Sequence, residues 1–200
     1  MTDTIRPAAT VVLWRASVDG FQVLMGQRGA KAAFMPSKYV FPGGGVDAAD
    51  LTTALPGLTE DCTHRLTLHC PPNSPSPGTI TTAALRELHE ETGLQIPNPT
   101  PGNLQFIFRA ITPQGRPRRF DARFFLTPAS AAQGDAETFA QASTELTHLH
   151  WIGLAQARTL DLPFITEVVL AEVAALLKGS PQQGTPFFDN SGPVPTFRRL

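Results

Sequence analysis

The apolar positions of this chain follow two periods. Apolar and β-branched residues crowd Ala9–Trp14 and return in alternation over Phe21–Arg28, with the turn chemistry of Ser17–Gly20 between them. This predicts a hairpin with strands near 9–15 and 21–28. A loop follows, then a short strand at Tyr39–Phe41 that runs into the glycine run Gly43–Gly45. Strand patterning reappears over 103–112, 118–127 and 146–152. Across 118–127 it sets Phe120, Ala122, Phe124 and Leu126 on one face and Arg119, Asp121, Arg123 and Phe125 on the other.

Helical periodicity occupies the remaining apolar stretches. It predicts a helix from about Thr82 to Thr92, stopped by Gly93, and a short one over 154–158. A third covers 165–178, with Val168, Val169, Val173, Leu176 and Leu177 as its buried stripe. The stretch 51–79 contains "ALPGLTED" and "PPNSPSPG". It predicts short helices near 50–55 and 58–68, then an irregular loop. The tail from Pro181 is rich in Pro and Gly and is expected to be irregular. Strands interleaved with helices predict an α+β fold: a mixed sheet between helices, an α/β/α sandwich, in one domain over 1–200.

Composition narrows the picture only slightly. The hydrophobic fraction is 42% and the formal net charge is -1, which gives no reason to expect nucleic acid or an anionic membrane as partner. The longest apolar-rich segment, Phe164–Leu177, is too short for a membrane span and carries Glu167 and Glu172. The start lacks a basic region followed by an apolar run, so a cytoplasmic location is expected. Cys62, His64, His69 and Cys70 have zinc-ligand chemistry, but their spacing fits no common finger pattern, and reduced, incidental thiols are expected.

The unusual chemistry lies in the helix near 82–92. Glu87, Glu90 and Glu91 share one face within two turns, although the chain holds only 17 acidic residues among 200. Like charges repel at these spacings. Glu90 and Glu91 also stand at the negative end of the helix dipole, where cations are preferred. A solvated charged face is the ordinary explanation of such a run. Two broken local rules in one place instead suggest a site, and clustered carboxylates suit a hard divalent cation. The glycine run at 43–45 would let backbone approach a ligand closely. It is no P-loop, because no Gly-Lys-Ser/Thr follows.

Together these features resemble the Nudix hydrolase family. The signature's second half is complete: Arg86, Glu87, Leu88, His89, Glu90, Glu91, Thr92, Gly93, Leu94. In its first half, Gly44 leads after five residues to Asp50, where the family usually has Glu, and 35 residues separate Asp50 from Arg86 where the signature has seven. This split box is similar to that of the branch related to the peroxisomal coenzyme A diphosphatase.

The resemblance implies a Nudix fold and hydrolysis of a nucleoside diphosphate linked to another moiety, with Mg2+ or Mn2+ as cofactor. Coenzyme A or an acyl derivative is the first expectation; ADP-ribose, a dinucleotide or a nucleotide sugar is the alternative. A silent nucleotide-binding module is a third reading. It also implies metal ligation by Glu87, Glu90, Glu91 and the Gly44 carbonyl, with Arg86 orienting a helix carboxylate. The general base is a box Glu or a distant one, for which Glu137 and Glu145 are candidates. Arg28, Lys38, Arg119 and Arg123 are candidate phosphate contacts. For Arg119–Asp121–Arg123 a solvated face is the competing expectation. Phe34 and Tyr39 could stack on a base or pack at the rim. A role for Asp50 is in doubt, because its side chain is one methylene shorter. The 51–79 insertion is expected near the site, and a homodimer is possible.

Overall fold

A computed structural model describes residues 4–32 and 34–200. Two long strands build its centre: β1 (Ile5–Ser17) and β2 (Gly20–Arg28), the expected hairpin. Their side chains alternate between two cores. Ala9, Val11, Leu13 and Leu24 enter one; Val12, Val23 and Met25 enter the other. A strand apolar on both faces must be covered on both, and here it is.

The strands β3 (Tyr39–Val40), β4 (Gly43–Gly45), β5 (Gln105–Ile111), β6 (Arg119–Pro128), β7 (Leu146–Gly153), β8 (Pro186–Asp189) and β9 (Thr196–Arg199) complete one mixed sheet of nine strands among the described residues. Its path runs β3-β2-β1-β6-β5-β8-β9, with β4 on β1 and β7 on β2. β1 and β6 are parallel over ten paired residues, from Ile5↔Arg119 to Trp14↔Pro128. One face carries α1 (Glu60–Thr67) and α2 (Pro77–Thr92); the other carries α3 (Leu154–Ala157) and α4 (Phe164–Leu177). The expected sheet between helices is therefore present. No helix among the described residues is long and apolar enough to cross a membrane.

Several local expectations change. α2 begins at Pro77, five residues earlier than the pattern predicts. Ser76 accepts a hydrogen bond from the Thr79 N–H at 3.1 Å, and Pro77 takes the first helical position, so the Ser-Pro that reads as loop is a helix start. The helix expected near 50–55 is only a 3-10 turn, Ala48–Asp50. In α4 the fully buried residues are Thr166, Val169, Leu170 and Val173, while Val168, Leu176 and Leu177 pack at the margin.

The tail is not irregular. Its β8–β9 hairpin extends the sheet past β5, with Phe187 buried under the Arg109 guanidinium at 4.3 Å. Four-residue strands bounded by Pro and Gly show too few positions for a period of two to register.

Candidate active site

Three short elements meet at the C-terminal half of α2. Thr92 and Leu88 anchor the helix in the core, and Gly93 closes it in the left-handed region (φ +75°), donating to the His89 carbonyl at 2.7 Å. β4 runs alongside. A Cβ at Gly43 would stand 2.5 Å from the Ala9 carbonyl oxygen, and one at Gly44 would stand 2.3 Å from Oε1 of Glu87. The glycine run is therefore needed for close approach, as its composition suggests.

The three glutamates part company. Glu91 is buried at 2% exposure, and its Oε2 accepts the Gly43 N–H at 2.7 Å. Its Oε1 is buried without a hydrogen-bond partner. Burial pushes the Glu91 carboxyl up to about 8, despite the Gly43 hydrogen bond, and the charges of Glu87 and Glu145 add to the rise. Glu87 is half-buried and is raised for the same first reason. Glu90 is exposed.

Arg86 is the hub. It binds Asp50 bidentately, Nε to Oδ1 at 2.9 Å and Nη2 to Oδ2 at 3.0 Å. It also donates to Glu87 at 2.9 Å, to Glu90 at 3.0 Å and to the Gly45 carbonyl at 2.9 Å. The Asp50 contact drives the guanidinium further into its charged form, against the effect of burial. Asp50, one methylene shorter than the usual Glu, still reaches Arg86 with both oxygens. Asp50 is 1% exposed, and its side chain also accepts the Asp47 N–H at 2.8 Å, capping its own 3-10 turn. Burial alone would raise the Asp50 carboxyl; the Arg86 and Asp47 hydrogen bonds and the Arg86 charge outweigh it and hold it below the usual range. The long insertion separates Asp50 from Arg86 in sequence but not in space.

The insertion leaves at Asp50 and returns at Ser76, stitched by Ser76 Oγ donating to the Thr52 carbonyl at 3.0 Å. Its α1 packs Leu58, Cys62 and Leu66 into the core shared with α2. The return end is eleven residues from Glu87, about 16 Å along a helix. At its departing end Asp50 binds Arg86, which in turn holds Glu87 and Glu90.

Among the other candidate cations, Arg28 pairs with Glu145 at 3.2 Å and Lys38 pairs with Asp161. Arg119 and Arg123 are elsewhere. Arg119 is buried, donating to the Thr112 carbonyl at 2.9 Å and the Asn190 carbonyl at 2.6 Å. Arg123 is 1% exposed and shares Asp121 with Arg109: 2.9 Å from Arg123 Nη2, and 2.8 Å for both Arg109 contacts. Arg109 and Arg123 also hold the stretch that follows α1 within the insertion, through the Leu68 carbonyl at 2.8 Å and Cys70 Sγ at 3.6 Å. The Arg–Asp–Arg face is not a solvated one; it is a buried clamp. Arg109, the member that sequence reasoning missed, reads there as one polar residue in an apolar strand.

Glu137 pairs with Arg15, which lies over Trp151 at 4.4 Å. Glu145 is closer to the cluster: its charge is felt by both Glu87 and Glu91. Its loop is docked on α2 by the Ser143 N–H donating to the Glu90 carbonyl at 3.0 Å. Phe34 packs edge-on against Phe120 at 5.1 Å, and Tyr39 against His148 and His150. A groove of about 570 Å³ lined by Trp14, Arg65, Gln105 and Gln182 holds none of the candidate site residues.

A divalent cation fits this chemistry in part. Oε1 of Glu91, buried without a hydrogen-bond partner, is the oxygen best suited to ligate one, and Glu87 and Glu90 supply further oxygens. The expected convergence of three carboxylates is not formed, because Arg86 holds Glu87 and Glu90. Among the described residues no group of three or more His, Cys, Asp or Glu side chains gathers around one point, Cys62, His64, His69 and Cys70 included.

A family model described as NUDIX domain matches residues 74–173. The match begins after most of the insertion, so Gly44 and Asp50 join it only in three dimensions. No curated protein matches the chain. Among solved structures, a NUDIX hydrolase from Alicyclobacillus acidocaldarius superposes with TM-score 0.59 at 23% identity, over 87% of this chain and 93% of that one. The NUDIX domain of Shewanella oneidensis NrtR, complexed with ADP ribose, gives 0.54 at 15% identity over 87% and 89%. A C. elegans Ap4A hydrolase gives 0.51 at 17% identity over 88% and 99%. At these identities the likeness concerns the fold.

Proposed function

The chain belongs to the Nudix family, and we propose that it is a hydrolase of a nucleoside diphosphate linked to a second moiety, with coenzyme A or an acyl-coenzyme A as the first substrate to test. One observation carries the reading: α2 is set against Gly43–Gly45 so that Glu91 keeps a buried carboxylate oxygen with no protein partner. A purely structural helix would not retain that oxygen, since a buried acceptor left unmade costs about 1–3 kcal/mol.

In this reading Glu91, Glu87, Glu90 and the Gly44 carbonyl hold Mg2+ or Mn2+, which when bound neutralises charge on the phosphoryl oxygens. The chain's own residues do the rest. Arg86, fixed by Asp50, holds Glu87 and Glu90 in place until the site fills. Glu145, in a loop docked on α2, accepts a proton from the water that attacks phosphorus. The new P–O bond forms to that water oxygen as the bridging P–O bond breaks. Arg28 orients Glu145 through their ion pair. The buried arginines 119 and 123 take no part. The split box supports the coenzyme A branch, and ADP-ribose, a dinucleotide and a nucleotide sugar share the same reaction.

The test is a hydrolysis panel with Mg2+ or Mn2+ and a chelator control. It covers coenzyme A, acetyl-coenzyme A, ADP-ribose, NADH, a diadenosine polyphosphate and a nucleoside triphosphate. Chelator-sensitive release of 3′,5′-ADP and 4′-phosphopantetheine from coenzyme A is the expected result. Turnover of another member moves the substrate. Binding without turnover across the panel overturns the hydrolase reading in favour of a nucleotide-binding module.

A further inference from the structure

Two histidines that the proposed reaction does not use stand on the sheet face that carries α3 and α4. On β7, Leu149 packs against the core under α1 and α2, so its neighbours His148 and His150 turn the other way. The strand is bulged at this point. His150 pairs with Met25 and Thr147 with Gln27, so two residues, His148 and Leu149, stand opposite Gly26 alone. His148 takes up the distortion at φ +52°, in the left-handed region that a β-strand residue rarely enters. A regular strand keeps residues i and i+2 about 6.6 Å apart. Here the two imidazoles stack, with centroids 4.4 Å apart at 21°. Such strain persists only where the surroundings impose it, and it concentrates at ligand clamps.

The hydrogen bonds fix the rings' chemistry. His150 Nδ1 lies 2.8 Å from the His148 carbonyl oxygen, which can only accept, so the His150 proton is on Nδ1. Nδ1 of His148 lies 2.6 Å from the hydroxyl of Tyr39, whose ring stands edge-on to both histidines. Among the described residues neither Nε2 has a hydrogen-bond partner. His148 is exposed and His150 is half-buried, so solvent reaches the pair. A neutral imidazole that donates from one nitrogen to an oxygen and keeps a lone pair on the other is the form that ligates a metal; the oxygen fixes both tautomer and ring orientation. His150 has that form already. His148 adopts it by donating Nδ1–H to the Tyr39 oxygen.

Spacing agrees with this chemistry. Two imidazole nitrogens bound to one tetrahedral Zn2+ at about 2.0–2.1 Å stand roughly 3.3 Å apart. Rings already stacked at 4.4 Å reach that separation by a small tilt. We propose that His148 and His150 bind a borderline divalent cation of the Zn2+ class, with Tyr39 orienting His148 and water completing the coordination. Ligand type separates this site from the acidic cluster: imidazole suits Zn2+, Ni2+ and Cu2+, whereas Mg2+ takes oxygen. With two protein ligands it is an open, exchangeable site and not a closed structural one. The proposal stands independently of the hydrolase reading.

The experiment is calorimetric titration of the full chain with Zn2+ in saturating Mg2+. It is repeated on His148→Asn, His150→Ala, Tyr39→Phe and Cys62→Ser/Cys70→Ser, with a circular dichroism spectrum of each. Asn is chosen at 148 because it tolerates the left-handed region. The wild type should take up a single Zn2+ per chain that Mg2+ does not displace. Either histidine variant should lose that uptake with an unaltered spectrum. Tyr39→Phe removes only the hydroxyl and should weaken binding about 10–100-fold, the range for partners that orient a metal ligand. The double cysteine variant should bind Zn2+ as the wild type does. No uptake by the wild type, uptake that survives both histidine variants, or uptake lost with the cysteines overturns the site. Unchanged affinity in Tyr39→Phe overturns the orienting role of its hydroxyl.

Discussion

Asp50 and Arg86 are joined by two parallel hydrogen bonds, of 2.9 and 3.0 Å, across an insertion that keeps them 36 residues apart. A bidentate carboxylate–guanidinium pair fixes direction as well as distance. Arg86 spends its remaining donors on Glu87, Glu90 and the Gly45 carbonyl, so Asp50 orients the acidic cluster without touching it.

Asp50→Ala should therefore lower kcat by roughly 10–100-fold, the range expected for partners that orient metal ligands. Asp50→Glu, the residue usual at this position in the family, should recover part of the loss. Because the Asp50 carboxyl sits below its ordinary range, the stability it contributes is present above that range and is lost as pH falls through its folded-state value. Acid unfolding followed by fluorescence should begin at higher pH in Asp50→Asn. An unchanged acid limb would show that the pair does not stabilise the fold.

Glu91 has the opposite sign. Its carboxyl is raised from the ordinary 4.5 to about 8, so the folded chain binds a proton that the unfolded chain has released. Stability of the metal-free protein should be highest below about pH 4.5, as far as this group is concerned, and should fall as pH rises towards 8. Glu91→Gln removes the titration and should flatten that slope in thermal melts between pH 5 and 8, while hydrolysis drops by about a hundredfold or more. Added Mg2+ should raise the melting temperature of the wild type by mass action, most strongly at the alkaline end, and that of Glu91→Gln much less. Equal Mg2+ effects on both proteins would remove Glu91 from the ligand set.

Arg123 was legible as unusual but not as what it is. Alternation along β6 correctly placed Arg119, Asp121 and Arg123 together on one face, yet a strand pattern does not say what lies opposite that face. Here it is the stretch after α1 within the insertion, with Leu68, His69 and Cys70 closing over Arg109 and Arg123. Arg109 and Arg123 share one carboxylate, and burial pulls the Arg123 guanidinium below its usual value. Asp121→Ala would leave two buried cations without their counter-ion and should cost about 3–5 kcal/mol in urea unfolding. Arg123→Ala should act on stability in the same assay and leave KM unchanged in the fraction that remains folded. A raised KM at unaltered stability would return Arg123 to the substrate.

The acidic helix, the glycine run and the sheet between helices could be read from sequence because each obeys a local rule or breaks one conspicuously. Three glutamates at a helix end conflict with the dipole wherever the chain folds. The parts that escaped are non-local. The Asp50–Arg86 pair, the buried clamp around Asp121 and the register of β8 on β5 all depend on segments distant in sequence, and no period within a single segment encodes them. In sequence the Glu87–Glu90–Glu91 face is one converging set. Its division comes from Arg86, whose guanidinium competes for two of the three carboxylates.

Glu145 and Glu137 offer a direct comparison of two surface acids that sequence could not rank. Both pair with an arginine, Arg28 and Arg15 respectively. Both lie in the connection that precedes β7, but it is the charge of Glu145 that reaches Glu87 and Glu91, and the connection is tied to α2 two residues before Glu145, through the Ser143 N–H and the Glu90 carbonyl. If Glu145 takes the proton from the attacking water, Glu145→Gln should lower kcat by about 10²–10⁴-fold with little change in KM, since the amide keeps the shape and loses the base. Glu137→Gln should leave both constants within twofold or so of wild type, as exposed pairs contribute about 0–1 kcal/mol. Arg28→Ala should lower kcat less than Glu145→Gln, because it frees the carboxylate without removing it. Steady-state kinetics on the best substrate of the panel separates these outcomes. Equal, small effects of Glu145→Gln and Glu137→Gln would shift the base to one of the helix glutamates.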